Sequence, residues 1–125
     1  MAEIFQYAIL RVVPDVARGE RLNVGVVLHC RRLRFLDARL HLDEARLAAL
    51  APGCDADALR PILSALEAVA RGGDAGGALG RLDPSDRFGW LTAPSSTVVQ
   101  PSAVHTGLTE DPAAELERLF RTLVG

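Results

Sequence analysis

Lysine is missing from this chain of 125 residues, and all fourteen of its cationic side chains are arginines. That absence excludes several chemistries. No lysine Schiff base can form, no Walker-type phosphate loop can be completed, and no lysine-containing restriction-type nuclease site can be assembled. Nor can this chain by itself be an ordinary kinase, because the phosphate-pairing lysine has no counterpart. Only two cysteines occur, Cys30 and Cys54, with neither disulfide-scaffold nor zinc-site spacing, so reduced thiols are expected. A basic surplus is lacking too: the net charge is −2, so binding nucleic acid through phosphates would need a local patch. The apolar runs are strand-length, far short of a membrane span, and Glu3 sits where a signal peptide avoids acid. A cytoplasmic protein without membrane contact is expected. The abundance of Ala, Leu, Arg and Gly matches the codon usage of a GC-rich bacterial genome.

What is present suffices for one hydrophobic core. Apolar residues make up 49% of the chain, and a single domain over residues 1–125 is expected. Ile4 to Val13 is apolar on both faces except at Gln6 and Arg11, the pattern of a central strand. Pro14 ends it, and Gly19 suits a turn. Leu22 to His29 then alternates, which predicts Leu22, Val24, Val26 and Leu28 facing the core, with Asn23, Gly25, Val27 and His29 opposite. A tight connection at Cys30-Arg31-Arg32 leads to a third strand, Leu33 to Arg39, completing an antiparallel meander.

The middle of the chain reads as helical. Asp43 caps Glu44 to Ala51, and a second helix runs to Arg71 on the spacing of Leu59, Ile62, Leu63, Leu66 and Val69. Pro61 either kinks that helix or marks its start. Residues 72–80, with five glycines, read as a flexible connection. Asp83-Pro84 and Asp111-Pro112 each pair a capping residue with a first-turn proline, predicting helices over Pro84 to Leu91 and from Pro112 to Val124. A short strand is expected over Thr97 to Gln100. The fold class is therefore α+β: an antiparallel sheet of three to five strands, helices on one face, and a C-terminal helix closing the core.

Several groups of residues are candidates for chemistry. In the loop Pro14 to Glu20, the side chains of Asp15, Arg18, Glu20 and Arg21 suit an anion or carboxamide site, although an Asp-initiated turn with local ion pairs is the simpler explanation. Asn23, Gly25 and His29 share a predicted strand face, which Gln6 or Tyr7 extends; a solvent-facing sheet surface or a packed partner helix gives the same pattern. Arg31, Arg32, Arg34 and Arg39 form a basic cluster suited to phosphate or to protecting a strand edge. A Ser–His nucleophile in the hydroxyl-rich segment before His105 lacks both a nucleophile elbow and a third member. His29, Cys30, His41, Cys54 and His105 have no ligand spacing, so no metal and no cofactor is implied.

Two segments carry a family resemblance. Tyr7 to Asp15 with Arg18 to Val27, and Arg87-Phe88 through Pro94 to Ser102 with Val104 to Leu108, together resemble the bacterial family catalogued as domain of unknown function three-zero-three-seven. The resemblance spans essentially the whole chain and implies a small cytoplasmic protein without an assigned activity. Members of that family are often encoded beside HipA-like kinases, so the resemblance implies a protein partner or a regulatory role. The favoured expectation is thus a non-catalytic module that docks a protein partner. One alternative is a small hydrolase- or nuclease-like enzyme using Asp15, Glu20 or His105, which requires the hairpin loop and residues 104–107 to share a pocket. A second is a nucleic-acid or nucleotide binder acting through Arg31, Arg32, Arg34 and Arg39. A homo-oligomer stays open.

Overall fold

The computed structural model describes residues 1–125. β1 (Glu3–Val12) is the strand on which the sheet is built. On one side it pairs antiparallel with β2 (Leu22–Cys30), and β2 pairs with β3 (Phe35–Leu40), giving the expected meander. On its other side β1 carries two short strands laid end to end. β4 (Val99–Pro101) pairs with Leu10 to Val12, and β5 (His105–Thr109) pairs with Glu3 to Tyr7. The third strand thus begins two residues later than its hydrophobic pattern suggests, because residues 31–34 are spent on the turn. Arg34 closes that turn in the left-handed region at φ 53°.

Between β4 and β5 the ladder is interrupted, and a side chain fills the gap. The Ser102 hydroxyl accepts a hydrogen bond from the Ile9 N–H at 2.8 Å and donates to the Ala103 carbonyl. The Ser102 N–H meanwhile donates to the Ile9 carbonyl. The buried backbone of β1 therefore keeps its partners where the neighbouring strand breaks. β5 is not predicted from its own sequence, since His-Thr-Gly-Leu-Thr alternates weakly. Its place is set by the open edge of β1, and the Phe5 ring lies over Gly107 where a Cβ would stand only 2.7 Å from it.

The helices cover both faces. α1 (Glu44–Leu50), α2 (Ala56–Arg71) and α4 (Pro84–Leu91) pack on one face, where Ala8, Leu10, Val12, Val27, Leu63 and Phe88 belong to the larger core. The C-terminal helix α5 (Pro112–Leu123) covers the other face, setting Leu116 and Leu119 against Phe5, Val26, Leu28 and Cys30. Asp43, Asp55 and Asp111 cap α1, α2 and α5 through their carboxylates, each accepting a first-turn N–H. Asp83 occupies the same position before α4 but makes no such bond, a correction to its predicted capping role. Pro61 lies inside α2 rather than at its start.

Residues 72–80, glycine-rich and expected to form a flexible connection, fold into a 3₁₀ turn (Asp74–Gly76) and a one-turn helix α3 (Gly77–Gly80). Arg87 explains part of this order. Its guanidinium donates to the carbonyls of Val69 and Ala70 at the end of α2, and its Nε donates to Leu82. These are carbonyls that a helix C-terminus leaves without partners. Gly72, at φ 81°, leaves the room: a Cβ there would lie 2.7 Å from the guanidinium.

One extra residue in β2 reverses the predicted facing of one half of that strand relative to the other. Pairing runs in step from Gln6–His29 to Leu10–Gly25, then slips, so that Arg11 faces Asn23 and Val24 is unmatched. This is a β-bulge, in which two residues oppose one and both point to the same side. Leu22, Val24, Val27 and His29 therefore face α2 and α4, while Asn23, Val26, Leu28 and Cys30 face α5. The expected grouping of Leu22, Val24, Val26 and Leu28 on one face, and of Asn23, Gly25, Val27 and His29 on the other, is corrected accordingly. A Cβ on Gly25 would stand 2.8 Å from Leu40 Cγ and 2.9 Å from the Arg39 carbonyl. Gly25→Ala is therefore expected to lower the unfolding free energy by about 1–3 kcal/mol, measured as a lower urea midpoint with unchanged slope.

Candidate functional site

The residues singled out from the sequence are distributed over three places. The hairpin loop after β1 is held by its own groups. The Asp15 carboxylate accepts the Ala17 N–H at 3.0 Å, its carbonyl accepts the N–H groups of Arg18 and Gly19, and Arg18 pairs with Glu20. Gly19 adopts φ 74°, which a turn of this shape requires. Beside the loop, Asp15, Arg18 and Glu20 border a cleft of about 330 Å³ whose other wall is the turn from Leu50 to Cys54.

His105 is not near that cleft. It pairs with Tyr7, its ring lying 5.2 Å from the tyrosine ring on the α5 face. Tyr7 and Pro14 are seven residue steps apart along β1 and its extension, about 23 Å at the usual rise. The loop carboxylates and His105 thus share no pocket, and the arrangement that general acid–base chemistry between them would need is not formed. No group of three or more His, Cys, Asp or Glu side chains is placed to hold a metal ion.

Asn23 serves the fold. Its Nδ2 donates to the Leu123 carbonyl at 3.0 Å, and Arg46 reaches the Val124 carbonyl, so both secure the end of α5. The basic cluster is also divided. Arg39 faces α5, where it pairs with Glu117 and lies 5.0 Å over the Phe120 ring. Arg32 lies 3.7 Å from Glu3. Arg31 and Arg34 make no ion pair, and Arg31 turns toward the opposite face from Arg39.

Two concavities flank α4. On one flank, Gln6, His29, Arg31, Arg32, Ser85 and Phe88 border a groove of about 430 Å³. His29 is only 6% exposed, with its ring 5.1 Å from Phe88. Burial pushes its pKa below the ordinary histidine value, and the charges of Arg31 and Arg87 add to the shift. On the other flank lies an apolar cleft of about 500 Å³, walled by Leu10, Ile62, Leu66, Trp90, Val98 and Val99. Sequence reasoning does not find this cleft. Its residues come from β1, α2, α4 and β4, and each segment alone reads as ordinary core. The signal available was the single tryptophan beside a proline-bounded segment.

Both segments of the resemblance converge on this region: the first forms β1 and β2, and the second runs through α4, β4 and β5. A family model matches residues 7–124, from within β1 past the end of α5. The chain belongs to the family described as Protein of unknown function (DUF3037). No curated protein and no solved structure is a significant match. In this DUF3037 chain no helix is long and apolar enough to cross a membrane.

Two outcomes follow from the site residues. Asn23→Ala is expected to cost about 1 kcal/mol and to speed hydrogen exchange in the last turn of α5, read by amide exchange. For His29 the folded state disfavours the proton. As pH falls through about 6.5 the unfolded chain takes it up first, so stability drops until the folded pKa is passed. The stability difference between the wild type and His29→Gln, from urea titrations between pH 7.5 and 5, is expected to shift against the wild type as pH falls.

Proposed function

We propose that this protein is a non-catalytic docking module that receives an apolar side-chain cluster of a protein partner in the cleft beside Trp90. The observation that carries this reading is the lining of the cleft. Trp90 is 46% exposed and Ile62 40% exposed, beside the more buried Leu10, Leu91 and Val99. Half-exposed tryptophans at the mouth of apolar pockets supply much of the energy of protein interfaces.

The polar groups at the rim favour a protein occupant over a small molecule. Ser95 and Thr97 are hydrogen-bonded to one another at 2.8 Å, the Thr97 hydroxyl also contacts the Val99 carbonyl, and the Gln100 amide donates to Thr97. Small-ligand sites orient their occupants with free converging polar groups, and here those groups are already engaged. The edge of β4 is also poorly suited to an added strand, since Pro101 has no N–H and Thr97 occupies the Val99 carbonyl. The partner therefore inserts side chains rather than extending the sheet. The resemblance to relatives encoded beside HipA-like kinases supplies the partner to try first, and a role in regulating that kinase follows from it.

The test is co-elution on size exclusion with a HipA-like kinase of the kind encoded beside family members, together with Trp90 fluorescence. A micromolar complex is expected, weakened by about 30-fold in Trp90→Ala, the loss of one hot-spot residue. Ile62→Asp should also weaken it, at a cost to the unfolding free energy of about 1 kcal/mol, from lost burial and helix propensity, that leaves the chain folded. Absence of a complex at micromolar concentration, or a complex indifferent to both substitutions, would sink the proposal.

A further inference from the structure

We infer that the groove on the opposite flank of α4 is a binding site for a phosphomonoester carried on a small organic body. This does not rest on the docking reading, because the two concavities have different walls and different chemistry. The first observation is His29. Its ring is almost wholly buried, yet it makes no hydrogen bond to another residue. No fully buried polar side-chain atom in the protein lacks a partner, so the ring nitrogens open onto the groove. A neutral imidazole held this way presents one N–H donor to a ligand.

The second observation is the cationic wall. Arg31 borders the groove and has no carboxylate partner, while Arg32 is held only loosely, 3.7 Å from Glu3. A free guanidinium offers a planar fork of donors suited to phosphate oxygens. The third is the start of α4. Ser85 stands in its first turn and borders the groove, and the Asp83 side chain does not cap that turn. Uncapped first-turn N–H groups complement an anion. The donors thus come from β2, from the turn after it, and from α4, converging from several directions as a tetrahedral PO₃ group requires.

Bare phosphate would leave most of the 430 Å³ unfilled. Apart from Gln6, the remaining wall is apolar: Phe88, open space at Gly89, and Ile4, a large exposed hydrophobe on β1. An aromatic or aliphatic body attached to the phosphate would cover these groups. Glu3, Asp83 and Asp86 place negative charge nearby, which sets the affinity for a bare anion low and makes the apolar body necessary for useful binding.

The test is NMR titration of the intact chain with inorganic phosphate, phenyl phosphate and benzoate at constant ionic strength. Phenyl phosphate is expected to shift the signals of His29, Arg31 and Ser85 saturably. It should bind more tightly than phosphate, through its ring, and than benzoate, through its second negative charge. Arg31→Ala should weaken it by about tenfold, the loss of one charge-assisted pair. Arg34→Ala, in the same turn but outside the groove, should change it less than about twofold by surface-charge effects alone. Equal losses in both variants would reduce the site to diffuse attraction, and benzoate binding as tightly as phenyl phosphate would make it a carboxylate site. Either result, or no saturable shift, overturns the inference.

Discussion

The unmatched residue in β2 sets the arrangement of everything packed on the sheet. Strand side chains alternate with period two, so a one-residue slip moves every later residue to the other face. Before the slip, Leu22 and Val24 belong to the α2 and α4 side; after it, Val27 and His29 do, and Val26, Leu28 and Cys30 turn to α5. Without the bulge, Asn23 and His29 would share one face, and Asn23 could not hold the end of α5 while His29 packs against Phe88. Gly25 makes the arrangement compatible with β3, because Leu40 and the Arg39 carbonyl already fill the space a side chain would need.

β1 is where the two segments of the family pattern meet. It pairs with β2 along one side and with β4 and β5 along the other. Several polar residues, the candidate Asn23 among them, satisfy backbone groups of the fold. Asn23 and Arg46 hold the end of α5, Arg87 the end of α2, and Ser102 the break between β4 and β5. Leaving such groups buried and unpaired costs free energy comparable to a lost hydrogen bond, so polar residues at these places are explained by folding alone.

The same accounting isolates what folding does not explain. Arg39 is committed to Glu117 and Phe120, and Arg18 to Glu20, but Arg31 is free. His29 is buried without a hydrogen bond, and Trp90 is half-exposed over an apolar hollow. These three side chains lie on either flank of α4. That short helix thus separates an apolar concavity from a cationic one, and Arg87 ties it to the end of α2.

The sequence by itself determined the meander, the helices started by Asp43 and Asp111, the helical stripe of α2 and the apolar face of α5. All of these rest on local periodicity and capping chemistry, which a single segment carries. It also determined which chemistries a chain without lysine cannot perform. The facing of β2, the existence of β5 and the contents of both concavities arise from packing between segments. A bulge is a relation between two strands, and β5 exists because β1 had an open edge. The clefts are spaces between elements far apart in the chain, where His29 meets Phe88 and Leu10 meets Trp90. Periodicity within one segment carries no information about such meetings. The groups of the hairpin loop are accounted for by its own turn, and the unexplained side chains gather around α4 instead.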